Sequence, residues 1–167
     1  MPAGSTYSTI ATTTLGSAQA SYTFSSISGS YTDLVLVITG ALTTNNQTYK
    51  LQFNGDTGGN YSYTSLGGTG SGAASYRGTN TTYLPFFILN GALNTTISAN
   101  IVNINNYSNT TTYKSCLIRS NYGSNGELQA FSGLWRSTSA INSITISASA
   151  GNLSSGSMLT IYGITAA

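Results

Sequence analysis

The chain has 167 residues, of which five are basic (Lys50, Arg77, Lys114, Arg119, Arg136), three acidic (Asp33, Asp56, Glu127) and none histidine. Charged residues make up 5% of the chain, and Ser, Thr, Asn, Gln and Gly fill 91 positions, against roughly 25% charged residues in an ordinary soluble domain. A net charge of +2 excludes a basic nucleic-acid-binding face, the scarcity of Glu, Lys and Arg excludes a coiled coil, and catalysis has little to draw on.

The length fits a single domain over residues 1–167, whose folded surface should be ~7,800 Å² with about 69% of the chain's surface buried. Eleven segments read as strands, because Thr, Tyr, Val and Ile favour a pleated surface and turn residues return at roughly the 8–12-residue spacing of a β-sandwich. The first three are Tyr7–Leu15, Ala20–Ile27 and Tyr31–Thr39; the last contains Leu34-Val-Leu-Val-Ile38, apolar at every position as a central strand covered on both faces would be. Thr48–Phe53 alternates cleanly, with Tyr49, Leu51 and Phe53 on one face. Asn54–Asn60 then reads as a hairpin loop, with Gly and Asn supplying positive φ. After Tyr61–Leu66, the run Gly67-Gly-Thr-Gly-Ser-Gly72 reads as a mobile loop, so that 54–82 becomes the longest loop-dominated region. Tyr83–Leu89 follows, then a single helical turn is conceivable at 92–99 before Thr96–Tyr107. In that strand the apolar phase slips between Ile101 and Val102, which predicts a β-bulge. Thr112–Arg119, Leu128–Arg136, Asn142–Ala148 and Met158–Ile164 complete the set. The sum is an all-β, two-sheet antiparallel sandwich, most naturally a jelly roll.

Few motifs carry chemistry. Asn54-x-Asp56-x-x-x-Asn60 hints at calcium-loop spacing, but one carboxylate without the bidentate Glu is a poor site, so neither metal nor cofactor is expected. Asp33, Asp56 and Glu127 are the only carboxylates available to a glycosidase pair; Asp33 opens a strand and Asp56 sits in a turn, so no catalytic residues and no enzyme are expected. The glycine loop at 67–72 lacks the Lys-Ser/Thr of a phosphate cradle. Cys116 is the only cysteine, with no intrachain disulfide open to it, and a strand-like setting predicts a buried thiol. Seven Asn-x-Ser/Thr sequons are close to the chance number for this composition, and Met1-Pro-Ala-Gly-Ser lacks the regions of a signal peptide. No run approaches a membrane span. Twelve tyrosines and one tryptophan remain. Tyr61, Tyr63, Tyr76 and Arg77, in or beside the loop-rich region, are the candidate partner contacts, whereas Tyr22, Tyr49, Tyr107 and Tyr162 read as core or edge filler. Trp135 should cap the core with the Arg136 stem over it.

Six segments stand out: Phe53-Asn-Gly-Asp-Thr-Gly-Gly-Asn-Tyr-Ser-Tyr63, Gly133-Leu-Trp-Arg-Ser-Thr138, Ser143-Ile-Thr-Ile-Ser147 and Gly156-Ser-Met-Leu-Thr-Ile-Tyr-Gly163, together with Ile10–Gly16 and Tyr31–Val37. They resemble a family of tailed-bacteriophage virion proteins found among phages of cyanobacteria and marine bacteria. The resemblance implies a β-sandwich particle component and carries no catalytic residues. The expected function is a capsid decoration (cement) protein on the outside of the head, assembled in the host cytoplasm and carried in the virion. The alternative is a tail-fibre or receptor-binding module whose loops 54–82 contact host surface glycan. Expected partners are copies of the chain itself, preferably as a homotrimer, and virion proteins such as the major capsid protein, with no nucleic acid and no membrane.

Overall fold

The computed structural model describes residues 6–87, 96–122 and 126–165. Twelve strands occur in chain order: β1 (Tyr7–Thr14), β2 (Ser21–Phe24), β3 (Asp33–Gly40), β4 (Tyr49–Phe53), β5 (Tyr61–Gly68), β6 (Ala73–Thr81), β7 (Leu84–Pro85), β8 (Ser98–Ile104), β9 (Lys114–Tyr122), β10 (Glu127–Trp135), β11 (Ile144–Ala148) and β12 (Met158–Ile164). They form one eight-stranded sheet, β1-β12-β3-β8-β9-β10-β5-β6, and one four-stranded sheet, β2-β11-β4-β7, with every pairing antiparallel.

Four of the pairings nest inside one another: β1 with β12, β2 with β11, β3 with β8 and β4 with β7. That is a long hairpin folded across two sheets, the jelly-roll arrangement. Two further hairpins, β5–β6 and β9–β10, are inserted into it and pair with each other through β5 and β10. β9 also pairs with β8, so the insertions widen only one sheet. The large sheet therefore overhangs the small one, and this overhang is where unusual side chains gather.

The core lies between the sheets. Leu34, Leu36 and Ile38 of β3 and Leu159 and Ile161 of β12 face Leu51, Phe53, Ile144 and Ile146 of the small sheet, all at 1% exposure or less. β9 and β10 bury every second residue over nine positions, the period of a strand with one wet face. The accessible surface is 7824 Å², in line with the size expected from the chain length. Cys116 is buried, and burial pushes its thiol up to about 12, with a bond from the Gly133 backbone working against the rise.

Five local expectations are corrected. No bulge interrupts β8, whose register with β3 and β9 is continuous. Its inward residues are Ser98, Asn100, Val102 and Ile104, so the apparent phase slip arises because two inward positions are polar while Ile101 points outward, only partly covered. The irregularities lie at Thr9/Ala11 in β1 and at Tyr61/Ser62 opposite Asn80, which takes a left-handed φ of 55°. The loop expected at Gly67–Gly72 is shorter than that, because Gly67 and Gly68 pair with Ala74 and Ala73; only 69–72 turn between β5 and β6, and the rest of the region read as loop holds the strand β6. β6 has little apolar alternation because it is an edge strand, largely exposed on both faces. Asn54–Asn60 does not close a hairpin; it carries the chain from β4 in the small sheet to β5 in the large one. The strand expected at Tyr83–Leu89 reduces to β7, since Pro85 cannot donate to a ladder; residues 88–89 and the first half, 92–95, of the turn considered at 92–99 lie outside the described residues. Val37, finally, is only half covered on the outer face of β3, so the uniform hydrophobicity of Leu34–Ile38 does not mark a strand fully covered on both sides.

Candidate functional site

Register alternation decides where each expected contact residue points. Tyr61 faces inward from β5 at 0% exposure. Its hydroxyl accepts from Phe53 N at 2.9 Å and donates to Asp56 O at 3.2 Å, and burial raises its pKa. It is a core residue and is closed to a partner. Tyr63 faces the same side but lies beyond the cover of the small sheet and is half-buried. Tyr76, paired with Ser65, also faces that side and is 38% exposed. Arg77, paired with Thr64, points to the opposite, outer face of the sheet and is exposed. The four therefore do not form one patch.

Tyr63 instead meets residues that sequence reasoning passed over. A cleft of about 450 Å³ opens between Tyr63, the end of β6 and its link to β7 (Asn80–Tyr83), and Pro85 and Phe87. Tyr63 is fixed in place: a Cβ at Gly78 would overlap its ring, and Phe131 packs edge-on at 6.0 Å between centroids. Burial, and then the neighbouring Tyr83, raise its pKa. Tyr83 carries Lys50 Nζ 5.5 Å from its ring centroid. Nothing in the sequence signals Tyr83 as a lining residue, because it reads as the first residue of an ordinary strand.

A polar staple ties the sheet-to-sheet crossing, and one of its members, Asn80, also lines the cleft. The Asp56 carboxylate accepts from Gly58 N (2.8 Å), Asn60 Nδ2 (2.9 Å) and Trp135 Nε1 (2.7 Å). Burial alone would raise its pKa; the bonds from Trp135, Asn60 and Gly58 outweigh burial and hold it below the usual carboxylate range. The Arg136 guanidinium donates to Ser62 Oγ and Asn80 Oδ1, both at 2.8 Å, and to Gly59 O. Asn54, also at positive φ, donates to Ala140 O and accepts from the amides of Asn142 and Ser143. The oxygens at 54–60 are thus bound by N–H donors rather than gathered around a cation, and among the described residues no group of three or more Asp, Glu, Cys or His is placed to hold a metal. Asp33 accepts from the Asn106 amide at 2.6 Å, a turn-closing contact, and Glu127 lies buried on the inner face of β10.

The outer face of the large sheet is the second candidate surface. Leu66, Leu117 and Leu128 are 67%, 55% and 58% exposed there. Register places Ala130 between Leu66 and Arg119, and Arg119 next to Ile101. Among the described residues no second layer covers this face of β5, β9 and β10. The leucines are not legible in the sequence, because the core-facing phase of β9 and β10 must be known before the other phase reads as outward.

Neither a scan against protein-family models nor a search of curated proteins finds a match to this chain.

Proposed function

We propose that the chain is a virion structural protein of a tailed bacteriophage, most naturally a decoration subunit on the outside of the capsid. The observation that carries this reading is the uncovered outer face of the large sheet, with three exposed leucines beside two cations, Arg77 and Arg119. A face of that kind gains by packing against a protein surface, here the major capsid protein, and many copies side by side repel little because each carries so few charges. The likeness of six segments to phage virion proteins supports the same reading.

The test is the protein composition of purified virions together with a Leu117→Lys, Leu128→Lys double variant. A stoichiometry comparable with that of the major capsid protein, and loss of the double variant from particles, is the expected result. A copy number in the range of tail fibres would overturn decoration in favour of a fibre or receptor-binding module.

A further inference from the structure

We propose that the cleft between Tyr63 and Tyr83 is a saccharide-binding subsite that takes a neutral pyranose ring stacked on a tyrosine face. Its volume of about 450 Å³ lies within the 300–1,000 Å³ typical of small-ligand sites. Its walls combine aromatic and apolar surface from Tyr63, Tyr83, Pro85 and Phe87 with hydroxyl and amide groups. A pyranose presents the matching pair of surfaces, an apolar face of C–H groups and a rim of hydroxyls. No charged side chain lines the cleft, which favours a neutral sugar over an acidic one.

The polar groups divide into two sets. Thr48 Oγ1 is committed to the Phe86 and Phe87 amides and to Tyr49 O, and Thr81 Oγ1 to the carbonyls of Tyr61 and Tyr83. These shape the wall. Among the described residues, the hydroxyls of Tyr63, Tyr83 and Thr82 have no such intrachain bond and remain for a ligand. Asn80 accepts from Arg136 through Oδ1, which leaves its Nδ2 as the donor. The rings are held before any ligand arrives, Tyr63 by Gly78 and Phe131 and Tyr83 beside Lys50. Rigid aromatic anchors lower the ordering cost of binding.

The experiment is a titration of the full chain, followed by amide chemical shifts, with maltotriose, cellotriose, chitotriose, galactobiose and mannobiose, and with sialyllactose as the acidic comparison. The expected result is binding of at least one neutral sugar in the millimolar range or tighter, with shifts centred on Tyr63 and 80–83. Tyr83→Ala should weaken it about tenfold by removing a stacking face, and Tyr63→Phe about threefold by removing one hydroxyl. Thr82→Trp, at an exposed position, should block the cleft without touching the core, and Tyr113→Ala, exposed outside the cleft, should change nothing. Absence of shifts with every neutral sugar at about 10 mM would overturn the proposal, as would binding that Thr82→Trp and Tyr83→Ala both leave unchanged. Sugar binding and particle location fail separately, because a decoration protein without a sugar site still coats the head.

Discussion

Trp135→Ala should lower the stability of the fold by about 3–5 kcal/mol, the cost of truncating a buried aromatic, and its melting temperature by about 10 °C for a chain of this size. Trp135 is 2% exposed, stacks on Tyr61 at 6.4 Å and meets Phe53 at 5.5 Å. It thereby joins the end of β10 to β4 and β5 where the chain crosses between sheets. The indole N–H adds a bond to Asp56 that Trp135→Phe would remove while leaving most of the packing. That variant should cost about 1–2 kcal/mol, as for a hydrogen bond to a charged group with some solvent access. Combined with Asp56→Asn in a double-mutant cycle read by circular dichroism, it should show a coupling of about 1 kcal/mol. Additive effects would mean that the short Trp135–Asp56 contact does not hold the corner.

The same contact fixes a pH dependence. Asp56 has a folded pKa below its unfolded value of about 3.9, so its contribution is fully present above that value and is lost as pH falls through the folded pKa. Stability should therefore drop more steeply below about pH 4 in the parent than in Asp56→Asn. Since Trp135 is the chain's only tryptophan, its fluorescence follows the acid transition at the contact itself. Identical acid limbs in the two proteins would show that the carboxylate is not stabilised by folding.

Much of this architecture can be read from the chain, and the exceptions share a cause. β4, β11 and β12 (through Leu159 and Ile161) alternate apolar and polar residues and announce themselves; β3 does so through the dense aliphatic run Leu34–Ile38. A jelly roll follows from many short strands without helical periods. β6 was invisible because an edge strand exposed on both faces has no hydrophobic phase to detect, and Ala73–Thr81 looks like loop in composition. β8 misled in the opposite way: Ser98 and Asn100 are buried, with Asn100 Nδ2 donating to Ser98 Oγ at 3.2 Å, so the inward phase is partly polar. The candidate site suffered from the same ambiguity. Tyr61 and Tyr63 are two residues apart and share a face, yet one lies under the small sheet and the other beyond its edge. Sequence fixes which side of a strand a residue takes; the width of the opposing sheet decides whether that side is core or cleft.

Lysines at Ser75 and Thr79 should abolish self-assembly while leaving the fold intact. β6 and β1 are the terminal strands of the large sheet, nine and eight residues long, with Arg77 as the single charge between them. Long edges with so little guard are templates for pairing with another copy. Pairing β6 of one copy with β1 of the next is a head-to-tail contact, which closes into a ring when the rotation allows, and the homotrimer expected from the sequence is the three-membered case of such a ring. Ser75 and Thr79 flank Arg77 on the exposed outer face of β6, so the variant places three cations along the edge at a cost to the fold of no more than about 0.5 kcal/mol. Light scattering should then report the 17.3 kDa monomer in place of the larger mass expected of the parent. Thr9→Lys with Thr14→Lys, on the exposed side of β1, should do the same from the other edge. Mixing the two variants separates the geometries. Each retains the edge the other lacks, so head-to-tail pairing yields a heterodimer that cannot close, whereas β6-to-β6 pairing leaves the β1 variant a homodimer that ignores its partner. A parent chain that is monomeric, or a β6 variant that keeps the parent's mass, would remove the sheet edges from the assembly.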